Sequence, residues 1–554
     1  MANLPRNVPA SEQPGLPVTR RGFLSMAAGA GAMALGGAVG GTGTTAAAPG
    51  QPRSGSMLRR PNIVLFITDQ ERKPMHWPTG WAARNLPNRQ RLVDHGLTFE
   101  NAFCAAAMCS PSRSTFFTGK YPAEHGVTRT LTEGGTLSPT EPTLPVDEQN
   151  MAKLLRSAGY RVHYRGKWHM SKSPDGHGPR PSDIARYGFA GWRSPDFGGD
   201  TSPANFGGGC ADHDGSVTQQ AVDFLRNEKA DAAQPFALIV SLANPHDILS
   251  YPQTWNRREG ACDNYASKAP GAFRQGITLP ASYPENLLTN FKPSAQVQSQ
   301  LLLAGGLGPL FTPQAATDYA NFYAYLHRVV DQHLGTVLNT LDEAPAVRDQ
   351  TLIVRISDHG EMGMSHGGLR QKIFNAYDET LRVPLIISNP VMFPTGATTE
   401  AMASLVDLMP TFATLAGVPD RDRWTFRGTD LTPVIADAVA APGSPRTEVQ
   451  DSVLFTFDDD NVATPDGQNI VRQPNHLRAI RTRRWKYAVY FDPRGSTRPQ
   501  RELYDLENDP HELNNLADPA NARAYRPNLV ARMDRKLRAA MARTRTTPPE
   551  RVLN

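Results

Sequence analysis

The chain has little cysteine and little net charge, and beyond its N-terminus it has no long apolar run. Four cysteines in 554 residues exclude a disulfide-dense scaffold, in which crosslinks replace a core. A formal net charge of +5, from 58 basic and 53 acidic residues, is too small at this length to supply the basic stripe of a nucleic-acid binder, and no nucleic-acid partner is expected. Nothing beyond the N-terminus approaches the roughly 18 consecutive apolar residues of a membrane helix, so the processed chain is expected to have no stable membrane span. What is present is 39% hydrophobic and 20% charged residues, the balance of a globular protein with a sizeable core. At roughly 100–200 residues per domain, the length allows two or three domains, or one large domain with a satellite. The 46 glycines and 47 prolines together exceed the roughly 12% of average composition and predict long loops.

The N-terminus reads as an address. Thr19-Arg20-Arg21-Gly22-Phe23-Leu24 leads into a weakly apolar, Ala- and Gly-rich run that ends at Ala46-Ala47-Ala48, a small-x-small cleavage pattern. Residues 1–48 are expected to be a twin-arginine (Tat) signal peptide, followed by a linker over 49–60. The Tat route exports folded proteins. The Tat translocon is therefore an expected maturation partner, modification of the unfolded chain belongs in the cytoplasm, and the mature protein is expected to be periplasmic or extracellular.

Short apolar runs bounded by turn or polar residues recur with helical stretches between them, the pattern of buried strands in a mostly parallel α/β sheet. The runs are 62–68, 160–164, 236–243, 351–357 and 384–388. The fold class expected over 61–437 is α/β, a mostly parallel central sheet flanked by helices. Polar clusters follow four of the runs: Asp69-Gln70, Gly166-Lys167-Trp168-His169, Asn244-Pro245-His246-Asp247 and Asp358-His359-Gly360. In an open α/β sheet the ligand crevice lies outside the carboxyl ends of the strands, so the four clusters are expected to converge on one site. Tyr319, Phe322, Tyr323, Leu326, Val330, Leu334, Val337, Leu338 and Leu341 keep helical spacing and read as core. From Asp247 to about Pro313 the chain is rich in Pro, Gly and Asn with little periodicity, which suggests a long irregular insertion and a substrate-facing wall near His246. Ala, Pro, Gly and Ser mark a linker over 438–450. Beyond it, 451–546 reads as a small α+β subdomain with a short antiparallel sheet and a basic helix whose charge is most simply a solvated face, then a tail over 547–554.

Cys109-Ser110-Pro111-Ser112-Arg113 is weak evidence by its first five residues alone, with about 0.04 occurrences expected by chance; its continuation, through Thr118-Gly119-Lys120-Tyr121-Pro122, decides the matter. The segment resembles the signature of the type I, formylglycine-dependent sulfatases of the alkaline-phosphatase-like superfamily. Leu86-Pro87-Asn88-Arg89-Gln90-Arg91-Leu92 resembles another family element, with Gln90 in place of an Asp. The Gly166–His169, Pro245-His246 and Ser357–Gly360 segments, Lys372, Val406–Thr411 and Leu503–Glu512 fall in the family's order.

The resemblance implies a sulfuric ester hydrolase acting on a small-molecule or carbohydrate sulfate ester, with Cys109 converted to formylglycine by a formylglycine-generating enzyme. A hydrated aldehyde carries two hydroxyls on one carbon, one to attack sulfur and a second whose deprotonation expels sulfate; a serine lacks that exit. The resemblance further implies one divalent cation held by Asp69, Gln70, Asp358, His359 and the side chain at 109. Calcium is the first choice, while fewer carboxylates and one imidazole keep manganese and magnesium open. Asp69-Gln70 and Asp358-His359 depart from the adjacent Asp pair and the Asp-Asn pair of many arylsulfatases and resemble the choline-sulfatase and phosphonate-monoester-hydrolase branches. Arg113, Lys167 and Lys372 are the cations expected at the sulfate and the nucleophile. His169 is expected to orient or deprotonate the free hydroxyl, and His246 to protonate or hydrogen-bond the departing alcohol oxygen; the residues do not decide which histidine carries which proton. His125 and His366 read as loop residues, although His366 has a possible place facing substrate. Trp485 and Tyr487 read as packing of the C-terminal sheet. Cys210 and Cys262 are an even choice between a disulfide and two thiols. Two alternatives stand beside the sulfatase reading: a phosphonate monoester or phosphodiester hydrolase on the same scaffold, and an exported carbohydrate-binding protein with an inactive site.

Overall fold

Strand β1 (Asn62–Asp69) is buried along its whole length, and its alternate residues feed two different cores. Ile63, Leu65 and Ile67 pack into one cluster with Phe116, Phe117 and Tyr164. Val64 and Phe66 pack into another with Val217, Ala221, Val330, Leu334 and Val337. A strand covered on both faces has no solvent side to make polar, which is why its sequence is a continuous apolar run. In this computed structural model the described residues are 55–131, 141–228, 234–259, 262–265, 269, 271–460 and 470–553. The segment expected to be a signal peptide and the first half of the 49–60 linker, residues 49–54, lie outside them.

The remaining strands are β2 (Gly96–Phe103), β3 (Ala106–Ala107), β4 (Arg161–Gly166), β5 (Phe236–Pro245), β6 (Arg258–Glu259), β7 (Cys262–Asp263), β8 (Thr351–Ser357), β9 (Leu385–Ser388), β10 (Ala397–Ser404), β11 (Ser452–Phe457), β12 (His476–Thr482), β13 (Trp485–Phe491) and β14 (Gln500–Asp505). Seven form a sheet in the order β10-β2-β9-β8-β1-β5-β4. Its pairings are parallel except at β9, which runs antiparallel to both β2 and β8. The expected α/β fold with a mostly parallel sheet is the observed one; β9 is its single reversed strand. Helices His213–Arg226 and Pro313–Asp342 lie against one face, and the apolar spacing read from Tyr319 to Leu341 is the buried stripe of the second.

Three elements escape the pattern of apolar runs. β2 carries Gly, Glu and Asn among its apolar residues. β10 is an edge strand of Ala and Thr that alternates between buried and exposed at its start. Inside the stretch expected to be irregular, Ser294–Leu307 is an α-helix, so the wall near His246 is partly regular structure.

A second sheet, β14-β13-β12-β11-β3, is antiparallel through β14 to β11. Its fifth strand comes from far upstream: Ala106 and Ala107 pair in parallel with Thr456 and Phe457. Tyr487 is buried beneath this sheet against the helix Pro527–Thr544, with Trp485 at the margin of the same cluster. Residues Pro52–Asn554 fall into one compact unit, and the boundary expected at 437/438 lies within the helix Thr432–Ala440.

His125 ends the short helix Pro122–His125 and is buried. The Val127 N–H donates to its Nδ1 at 3.2 Å and its Nε2 lies 3.1 Å from Thr115 Oγ1, which itself donates to the Pro111 carbonyl at 2.7 Å. The pattern fits a neutral ring with its proton on Nε2. Burial, helped by Lys120, holds the imidazole down at about 3, whereas the unfolded chain titrates near 6.5. Between those values the unfolded state binds one proton more, so stability falls as pH drops from about 6.5 towards 3, by up to about 1.4 kcal/mol per pH unit. Denaturant titrations at a series of pH values are expected to show this slope, reduced by about one proton in His125→Gln.

Candidate active site

β8, β1, β5 and β4 are neighbours in the sheet and parallel, so their carboxyl ends open on one edge. Asp69 ends β1 and Gln70 follows. Asp358-His359 follows β8, His246 follows β5, and Lys167-Trp168-His169 follows β4. Cys109 arrives by a separate path. β3 fixes Ala106 and Ala107 to the second sheet, Met108 caps in extended conformation, and Cys109 is the first residue of the helix Cys109–Thr118. The unpaired N–H groups and partial positive charge of that helix end therefore face the side chain at 109.

Cys109 Sγ lies 3.5 Å from Asp69 Oδ1 and 3.1 Å from His359 Nε2. His359 Nε2 is 3.7 Å from both Asp69 Oδ1 and Asp358 Oδ1. Ligand atoms of these four buried residues all lie within 4.8 Å of one another. His359 Nδ1 faces the Gly360 carbonyl at 3.1 Å, which only accepts, so Nδ1 carries the proton and Nε2 turns a lone pair towards the carboxylates. Converging lone pairs in a dry site repel unless a cation lies among them, and two carboxylates with one oriented imidazole suit a divalent ion.

The cations are bound into the same network. Arg113 donates from Nε to Asp358 Oδ2 at 2.9 Å, from Nη1 to the Lys167 carbonyl at 2.9 Å and Ser241 Oγ at 2.8 Å, and from Nη2 to Asp69 Oδ2 at 3.4 Å. Lys167 Nζ donates to the Asp69 carboxylate and to the Gly198 carbonyl. Lys372 Nζ donates to Gln70 Oε1 at 2.6 Å, the Gln70 amide nitrogen donates to Glu361, and the Gln70 backbone N–H donates to Asp358 Oδ1 at 3.1 Å. Gln70, His169 and Gln371 all sit at positive φ (65°, 54° and 64°). That strain is held by the surrounding hydrogen bonds, as is common where side chains must be aimed.

Charge follows from this geometry. Burial raises the Asp69 carboxyl, but the positive charges of Lys167 and Arg113 outweigh it and hold the group well below the usual carboxylate range. Burial and the charge of Asp69 push Asp358 up to about 6. Burial, with Lys167 or Lys372 alongside, holds His169, His246 and His359 well below the ordinary imidazole value, so all three are neutral. Burial and Asp69 push the Cys109 thiol up to about 12. As a cysteine it is a protonated, weak nucleophile.

A cleft of about 270 Å³ opens on Cys109 and is lined by His169, His246 and Lys372 among others. Arg113 is fully buried and its donors point at the site's own groups, inward of the cleft. His169 sets its Nε2 against the Leu131 carbonyl, while its Nδ1 has no partner among the described residues. His366 is buried elsewhere, with Nδ1 2.6 Å from Glu285 Oε2 and its ring stacked on Tyr377 at 3.6 Å. Cys104 and Cys109 are free thiols and Cys210 is disulfide-bonded; the side chain of Cys262 lies outside the described residues.

Several residues that hold the site in place carry no motif. Asp196 accepts the backbone N–H groups of Trp168 and His169, each at 2.8 Å. Asp214 accepts those of Ala243 and Asn244 at 2.7 and 3.0 Å, fixing the end of β5. Ser241 and Glu361 are nearer to legible: one is a hydroxyl inside an apolar run, the other the next residue after Asp358-His359-Gly360.

A family model described as Sulfatase matches residues 61–418, and another, described as N-sulphoglucosamine sulphohydrolase, C-terminal, matches residues 366–540. The chain belongs to the sulfatase family. This sulfatase is 25% identical over 506 residues to the N-acetylglucosamine-6-O-sulfatase of Bacteroides thetaiotaomicron, covering 83% of each chain. It is 28% identical over 508 residues to the choline-sulfatase of Rhizobium meliloti, covering 87% of this chain and 86% of that one. In fold it resembles the phosphonate monoester hydrolase of Agrobacterium radiobacter, with a TM-score of 0.61 at 23% identity over 88% of this chain and 96% of that one. The sulfatase is a sulfuric ester hydrolase of the formylglycine-dependent family in the alkaline-phosphatase-like superfamily.

Removing the carboxylate that aligns two consecutive amides lets the 167–169 turn relax, and shifts of about 1 Å at reacting groups cost up to about 100-fold. Asp196→Ala in the sulfatase is expected to lower kcat by about 10- to 100-fold with little change in KM, and Asp196→Asn, which keeps one acceptor oxygen, by less. Steady-state kinetics on one sulfate ester checks this.

Proposed function

We propose that the enzyme hydrolyses sulfate esters with formylglycine at position 109 and one divalent cation, after export by the Tat route to the periplasm or beyond. The observation that carries the reading is the convergence of Cys109, Asp69, Asp358 and His359 within 4.8 Å, at a helix N-terminus and beside two lysines. The Cys109 environment agrees with it, since a thiol pushed up to about 12 is a poor nucleophile and gains reactivity by conversion. The hydrate of the aldehyde supplies one hydroxyl to attack sulfur and a second whose deprotonation releases sulfate.

Asp69, Gln70, Asp358 and His359, with the side chain at 109, would hold the cation, calcium before manganese or magnesium. When bound, the ion acidifies the nucleophile and offsets charge growing on the sulfate. The chain's own groups do the rest. Lys167 and Lys372 place fixed positive charge beside the reacting oxygens in a dry pocket. Arg113 acts as a positioning residue that holds both carboxylates. His169, neutral and with Nδ1 unpartnered, takes the proton from the second hydroxyl. His246, which lines the cleft together with His169, donates to the departing alcohol oxygen.

Mass spectrometry of the Cys109 peptide from natively produced protein is expected to show the aldehyde. Cys109→Ala is expected to lower kcat by about 10³-fold or more, whereas Cys109→Ser is expected to stall after one turnover with a single sulfo group on the peptide. An unmodified cysteine in fully active enzyme would defeat the reading.

Chelation is expected to abolish activity and calcium to restore it better than manganese or magnesium. Paired assays on an aryl sulfate and an aryl phosphonate monoester are expected to favour the sulfate; the reverse order would put the phosphonate reading first.

A further inference from the structure

Resting on that sulfatase reading, the walls of the cleft carry information about the alcohol half of the ester. Beyond the catalytic groups, the lining includes the apolar side chains of Met108, Leu249, Leu302, Leu303, Leu307 and Ile373, beside Thr130, Thr201 and Asp200. Three of the six come from the last two turns of the helix Ser294–Leu307, which brings a block of leucine side chains into the cleft that Cys109 also lines. Among the described residues that line the cleft none is Phe, Tyr or Trp, so these residues offer no aromatic face to a quaternary ammonium group. The one carboxylate in the lining, Asp200, is occupied by the Ser202 N–H at 2.8 Å and by Asn205 Nδ2 at 3.0 Å. At the head end Lys372 Nζ lies 3.4 Å from Gln371 Oε1, and Gln371 Nε2, buried and in the lining, has no partner among the described residues. Unpaired donor capacity thus sits where the sulfate goes, and aliphatic surface sits beyond it.

We infer that this sulfatase takes sulfate esters of apolar alcohols, phenols or primary alcohols with an extended hydrocarbon part, whose apolar body lies against the leucine face of the helix Ser294–Leu307 while Lys372 and Gln371 hold the head. The hydroxyls of a sugar have no partners on that face, and each one buried unpaired costs roughly tenfold in kcat/KM. Gly306 sits in the lining, and a Cβ built there meets no atom within 4 Å, so the cleft has room for substrate at that turn.

The test uses full-length, metal-loaded enzyme with verified conversion of Cys109. Para-alkylphenyl sulfates from hydrogen to butyl keep the acidity of the leaving phenol nearly constant while the apolar body grows. kcat/KM is expected to rise about fourfold per methylene, the worth of one buried CH₂, and N-acetylglucosamine 6-sulfate and choline sulfate are expected to be at least about 100-fold poorer than the butyl compound. Leu307→Asn, at a half-buried helix end, is expected to flatten the series, lowering kcat/KM for butylphenyl sulfate by more than for phenyl sulfate. Gly306→Leu, which fills open space, is expected to reverse the order so that phenyl sulfate is preferred. A flat series, or a sugar or choline ester that outpaces butylphenyl sulfate, overturns the inference and leaves the sulfatase reading intact; no turnover of any sulfate ester overturns both.

Discussion

Two carboxylates, Asp69 and Asp358, are buried with their oxygens turned on the same small volume, and the rest of the site is arranged around that. Removing two like charges from water is costly, and the two also repel each other unless cations join them. Arg113 bridges both, Lys167 joins Asp69, and backbone N–H groups of Gln70 and His359 converge on Asp358 at 3.1 and 2.9 Å. Even so, Asp358 remains raised and Asp69 depressed, so the protein by itself stabilises one full negative charge better than two. A divalent cation among these oxygens would offset their charge, and the cluster of Asp69, Cys109, Asp358 and His359 could hold one. The same surroundings keep the imidazoles of His169, His246 and His359 neutral, and neutral rings are able to bind an ion or take a proton.

Meeting that demand takes both sheets. Four adjacent parallel strands of the larger sheet deliver Asp69, Asp358, His246 and Lys167, but Cys109 is delivered by a segment tied to the smaller one through Ala106 and Ala107. The smaller sheet is therefore part of the device that sets the distance between nucleophile and carboxylates. Its burial beneath the Pro527–Thr544 helix stiffens a position that sequence distance alone would leave loose.

The strands that end at catalytic clusters were legible because both faces of each are covered, which forces a continuous apolar run, and because the polar residues that follow have no packing reason to be there. Cys109 was legible because its continuation to Pro122 is long and specific. β2 and β10 were not, since a strand carrying Asn101 and Glu100, or an edge strand of Ala and Thr, shows no apolar run. The helix Ser294–Leu307 was hidden among the prolines and glycines on either side of it. Asp196 and Asp214 were out of reach for a different reason: each acts on backbone N–H groups of a distant turn, and a contact that reads only peptide groups leaves no trace in the sequence of its partner.

Chemistry and selectivity therefore lie on parts of the chain with different physical constraints. Residues at strand ends are fixed by the ladder on one side and the buried charges on the other, so even a small displacement of Asp69 or Lys167 unbalances the whole cluster. Among the described residues the helix Ser294–Leu307 lines the cleft with Leu302, Leu303, Gly306 and Leu307, and apolar packing tolerates exchange far better than a charge network does. A scaffold divided in this way can keep one way of breaking a sulfate ester while changing the alcohol it accepts, and on the inference drawn above the leucines at 302, 303 and 307 are where this chain makes that choice.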